Sequence, residues 1–82
     1  MVTYFVVQPF VRSRKGGLVA GDAFEVPSQR QAETTAFRLA GTKAAAVAFS
    51  RTGDPATGEW DDAVLIASFG EVPDEAMEAI AN

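Results

Sequence analysis

The sequence predicts an α+β domain of order ββαββα, a mostly antiparallel four-stranded sheet with one long helix on a face and a short C-terminal helix. Three observations carry this reading. Residues 2–26 and 44–69 each hold two strand-like stretches rich in apolar and β-branched residues, joined by a polar, glycine-containing loop. A capped helical stretch with one apolar arc separates them. Eighty-two residues, 48% apolar and 22% charged, hold one domain, residues 1–82, with no room for a second.

Val2 to Gln8 is β-branched and aromatic on both parities, which predicts a strand covered on both faces and interior to the sheet. Pro9 has no N–H for a ladder and marks a bulge or the end of two-sided pairing, with Phe10 and Val11 running on toward an edge. Arg12-Ser-Arg-Lys-Gly-Gly17 is a basic loop. Leu18 to Val26 then sets Phe24 and Val26 on one face and Glu25 on the other, as a short strand.

Ser28 with Gln31 three residues later forms a capping-box pattern, and the helix it starts is expected from about residue 29 to about residue 40. Ala32, Ala36, Leu39 and Ala40 share one arc, Arg38 lies where the dipole favours a cation, and Gly41 is the expected left-handed C′ residue. Phe37 lies off that arc. It either folds over the helix flank onto a strand or stands out as a contact aromatic.

Ala44 to Arg51 alternates Ala44, Ala46, Ala48 and Ser50 with Val47, Phe49 and Arg51, giving a strand with one flat face on which a helix can lie close. Thr52 to Gly58 is dense in turn residues: Asp54 can accept from the backbone ahead of it, Pro55 presets a turn angle, and Gly58 can take positive φ. A strand from Trp60 to Phe69 follows, with residues 63–67 apolar on both parities. Gly70 stops it. Pro73-Asp74-Glu75 opens a helix through about Ala81, with Ala76, Met77 and Ile80 along one side.

The first and fourth strands are thus apolar on both sides, yet only the short final helix remains for the opposite face. That face is expected to be under-covered, which predicts a homodimer. The alternative is that the C-terminal helix and Trp60 suffice. Area scaling points the same way, since a chain of 8.7 kDa buries only about 60% of its surface on folding.

The net charge of −4 conceals a split. Residues 1–51 carry all 7 Lys and Arg against Asp22, Glu25 and Glu33, whereas residues 52–82 carry 8 acids and no base. The absence of cysteine removes disulfides, thiolate chemistry and Cys-ligated metals, and the absence of histidine removes the usual general base and the commonest transition-metal ligand. Neither a catalytic residue, a cofactor nor a metal is expected. The opening run carries no preceding charge and is broken by Gln8 and Pro9, so no leader peptide is expected, and no 18-residue apolar run would span a membrane. A cytoplasmic location is the resulting expectation.

The candidate anion- or partner-binding residues are Arg12, Arg14 and Lys15, beside two glycines whose amides could approach an anion, together with Arg51 and Thr52. The plain alternatives are a solvated loop at 12–17 and an ordinary turn at 50–55. The segment 50–55 matches neither a phosphate-binding loop nor a dinucleotide turn. A nucleic-acid partner is not expected at a sequence pI near 4.5 with no broad basic face. Glu59, Asp61, Asp62 and Asp54 form the densest carboxylate cluster, but Asp61 and Asp62 point to opposite faces of a strand and the spacing fits no cation loop. Phe37 and Trp60 are the candidate interface residues, with core closure the alternative for Trp60.

The stretches Tyr4 to Phe10, Leu18-Val-x-Gly21, Ala46 to Pro55 with Gly58-Glu-Trp60, and Phe69 to Pro73 resemble a family of short uncharacterised bacterial proteins over nearly the whole chain. The hairpin from Ala46 to Trp60 is its most specific part. That resemblance implies no activity, cofactor or catalytic residue. A peptidoglycan-binding SPOR-like module shares the opening strand and following helix, but its βαββαβ order differs from the one predicted here. The expected function is a small non-enzymatic protein-interaction domain, homodimeric and contacting an acidic partner through its basic loop. The alternative is an anion- or nucleotide-binding module built on residues 12–17.

Overall fold

The computed structural model describes the backbone of residues 1–81 and the side chains of residues 1–78. Its elements are β1 (Val2–Arg12), β2 (Leu18–Ala20), β3 (Phe24–Val26), α1 (Gln29–Ala40), β4 (Ala45–Asp54), β5 (Glu59–Trp60), β6 (Val64–Gly70) and α2 (Asp74–Ala81). β1 and β4 form the centre of an antiparallel sheet, with β2 and β3 both paired to β1 on one side and β5 and β6 both paired to β4 on the other. The class is α+β. The four expected strands appear as six segments because both edge strands break.

The first break follows from Pro9. Its missing N–H leaves the facing Gly21 carbonyl without the usual ladder donor, and the Gln8 side chain supplies one instead, with Nε2 donating to Gly21 O at 2.7 Å and to Pro9 O at 3.0 Å. Gly21 N in turn donates to Pro9 O at 2.9 Å. The register runs from Phe10 opposite Ala20 to Val7 opposite Phe24, so the edge carries one extra residue and bulges at 22–23. β1 is nonetheless paired on both sides as far as Phe10. On the other edge, Ala48 faces Ala67 while Phe49 faces Leu65, and the extra Ile66 turns toward the helix-side core. The Trp60-to-Phe69 stretch, although apolar on both parities, is therefore an edge, and Val64 and Leu65 stay 62% and 43% exposed.

α1 begins as expected: Ser28 is the N-cap and its Oγ accepts from Gln31 N at 3.2 Å. Its end differs from expectation. Gly41 has φ −76 and ψ −21, a right-handed conformation, because the chain closes with a tightened turn in which Thr42 N and Lys43 N both donate to Leu39 O. Ala32 and Ala36 are fully buried against Val7, Ala46 and Ala48, with Phe5, Val26, Leu39, Ile66 and Phe69 around them. Small residues on both elements let the helix axis approach the sheet.

The other sheet face is covered at one end only. There Phe10, Ala45 and Val47 are buried under Val72, Ala76 and Met77, with Phe49 at the margin. Ile80, expected on the same side of α2, lies outside the residues whose side chains are described. Gly70, with φ +82, lets the chain leave β6 and turn onto this face. Among the described residues, no helix is long and apolar enough to cross a membrane.

Candidate functional site

Alternation along β1 and β4 decides what the uncovered part of the second face presents. Tyr4 faces Arg51 and Val6 faces Phe49 across the central pair, Glu25 faces Val6 from β3, and Leu65 faces Phe49 from β6. Trp60 faces Gly53 from β5, where any Cβ on residue 53 would run into the indole and the Glu59 carbonyl. The missing side chain lets the indole lie down on the sheet. Its ring reaches Tyr4, at 5.6 Å between centroids, and the Arg51 guanidinium stands over it at 5.9 Å.

The result is an open, shallow cleft of about 630 Å³ lined by Tyr4, Val6, Glu25, Arg51 and Trp60. Trp60 is 39% exposed. Its floor is aromatic and aliphatic, with one carboxylate and one guanidinium at its margins. Among the described residues neither Glu25 nor Arg51 belongs to an ion pair, the single one being Arg12 with Glu71 at 3.1 Å. The whole molecule exposes 5372 Å². That is about 600 Å² more than scaling predicts for a monomeric protein of this mass.

The sequence-derived candidates do not converge. Residues 12–17 lie at the C-terminal end of β1, whereas Thr52 and Gly53 face Thr3 and Val2 at its N-terminal end. β1 alone is about 35 Å long at roughly 3.3 Å per residue, and the molecule is 41 Å in its longest dimension. The two loops are therefore separate places. Arg51 and Thr52 are also parted, because β4 runs on to Asp54 and neighbouring strand residues point to opposite faces. Thr52 Oγ1 shares a hydrogen bond of 2.9 Å with Thr3 Oγ1 on the helix side. The segment from Thr52 to Gly58, expected as a loop, is a shorter turn, in which Asp54 Oδ1 accepts from Ala56 N at 2.9 Å and Gly58 has φ +76.

In the basic loop, Arg12 Nη1 donates to Gly16 O at 2.8 Å and Nη2 donates to Glu71 at 3.1 Å, so this guanidinium is committed within the chain. Arg14 and Lys15 are exposed. Phe37 meets the edge of Phe69, at 5.4 Å between centroids, yet remains 68% exposed. It stands on the helix side, so Phe37 and Trp60 do not share a surface. Among the described residues, no group of three acidic, histidine or cysteine side chains converges as a metal site would require.

Tyr4, Val6, Glu25, Phe49 and Leu65 are the site residues that sequence reasoning did not single out. Their common face follows from cross-strand register. The available signal was the apolar Tyr4 and Val6 at strand spacing. No family model matches the chain, and no curated protein or solved structure matches it.

Proposed function

We propose that this protein is a small non-enzymatic interaction domain that self-associates through the open half of its second sheet face and offers Arg14 and Lys15 to an acidic partner surface. The observation that carries this reading is the strip of half-buried Tyr4, Val6 and Phe49 with the exposed Trp60 and Leu65, beside a helix that covers only the other end of this face. Tyrosine, tryptophan and arginine are the residue types enriched at interfaces. The non-enzymatic part rests on the chain's lack of histidine and cysteine. The alternative, an anion- or nucleotide-binding module built on residues 12–17, draws nothing from Arg51 and Thr52, which lie at the other end of β1, and its Arg12 is engaged by Gly16 and Glu71.

Light scattering at micromolar concentration tests the association. The expected mass is twice the chain's 8.7 kDa. A Val6→Glu variant, which places a carboxylate in the middle of the strip, is expected to run as a monomer at the same concentration, whereas Val19→Glu on β2 leaves the mass unchanged. A monomeric wild-type protein, or a dimer indifferent to Val6→Glu, would overturn the reading.

A further inference from the structure

A surface that binds its own copy must complement itself. Under a two-fold axis every residue i that meets residue j is matched by j meeting i, so an isologous face needs each of its charges answered elsewhere on the same face. The open cleft has this property. Glu25 stands on β3 and Arg51 on β4, two strands apart, with β1 between them. Across the strands they are separated by about 10 Å. They are offset along the sheet by the step from Val6 to Tyr4. Neither is engaged by an opposite charge within the chain among the described residues.

For two sheets laid face to face, the two-fold axis lies in the interface plane. An axis that bisects the Glu25–Arg51 line passes over β1 between Tyr4 and Val6. This operation carries Glu25 of one copy onto Arg51 of the other, and the converse, while Tyr4 and Val6, on either side of the axis, meet their counterparts at the centre and Trp60, on β5 outside Arg51, lies at the margin. We infer that the cleft is an isologous interface of this kind, closed by two symmetry-related Glu25–Arg51 ion pairs around an apolar centre. The inference rests on the self-association proposed above and adds its geometry. A partner carrying mainly one sign of charge would leave one of the two charges unanswered under a desolvating contact. A second copy answers both.

Charge reversal tests it. Glu25→Arg makes both pairs Arg–Arg and Arg51→Glu makes both Glu–Glu, so each variant alone is expected to self-associate about 100-fold more weakly than the wild type in sedimentation equilibrium. An equimolar mixture of the two is expected to recover dimers. In the mixed dimer the two introduced side chains, opposite in sign, face each other in one pair, and the native Glu25 of one chain meets the native Arg51 of the other in the second. The double variant Glu25→Arg/Arg51→Glu is expected to recover a homodimer by itself. Circular dichroism checks that each chain is folded. A wild-type dimer whose single reversals associate normally, or whose mixture gains nothing, overturns this geometry and leaves self-association standing. A wild-type monomer overturns both.

Discussion

A Gly70→Ala protein is expected to melt about 10–20 °C below the wild type, a loss of about 3 kcal/mol. Two costs add at this residue. Its φ of +82 is a left-handed conformation, which charges an alanine roughly 1–2 kcal/mol. A Cβ there would also stand 2.5 Å from the Ala44 carbonyl oxygen and 3.0 Å from Ala45 Cα, both of them backbone, so β4 itself has to shift. The damage spreads because Gly70 closes β6 against Ala45 and sends the chain toward α2. Gly58→Ala is the matched control, having φ +76 and nothing within 4 Å of the added carbon. It is expected to lose only the conformational part, about 1 kcal/mol. Equal losses in the two variants would show that the close approach at Gly70 contributes nothing. The melts are compared at one protein concentration, since association adds to apparent stability.

Ala36→Leu is expected to cost about 3 kcal/mol, at the upper end for an overpacked core. Ala32 and Ala36 on α1 lie against Ala46 and Ala48 on β4, and all four are fully buried, so the layer between helix and sheet has no slack for three more carbons. The helix must rise from the sheet, loosening the Leu39 and Phe69 contacts that border the layer. Against a total stability of roughly 4–12 kcal/mol for a domain of this size, that is a large fraction. Thr34→Leu, on the exposed side of the same helix, is expected to change stability by less than about 0.5 kcal/mol. Urea denaturation followed by circular dichroism separates the two. An Ala36→Leu protein as stable as the wild type would mean that the alanine layer is not tightly packed.

Local signals were readable without a structure. Ser28 and Gln31 announce the start of α1 within four residues, Pro73-Asp74-Glu75 announces α2, and Asp54 with Gly58 marks the β4–β5 turn. The alternation of Ala46 and Ala48 with Val47 and Phe49 announces the flat strand face under α1. Features that depend on partners distant in the chain were not readable. The bulge opposite Pro9 rests on a side chain thirteen residues from the carbonyl it serves, and the extra Ile66 shows only in the register against β4. Gly41 carries the usual signal for a left-handed helix end, yet Leu39 O collects two later amides and keeps the residue right-handed. Arg51 and Thr52 looked like neighbours in a loop, and the extension of β4 to Asp54 puts them on opposite faces. The partial cover of the second face was legible as a shortage of helix. The face's membership, from Tyr4 across to Leu65, required the pairing.

Trp60 is the chain's only tryptophan and lies in the cleft, so its fluorescence reports on this face alone. Emission followed on serial dilution, with mass measured in parallel by sedimentation, is the most direct test that a second copy covers the open half of the sheet. The expected result is a red shift of Trp60 emission as water replaces the partner, with the same midpoint as the fall in mass from dimer to monomer. A mass that halves while the emission stays constant would place the contact on another surface. A mass that never exceeds 8.7 kDa would contradict the account outright.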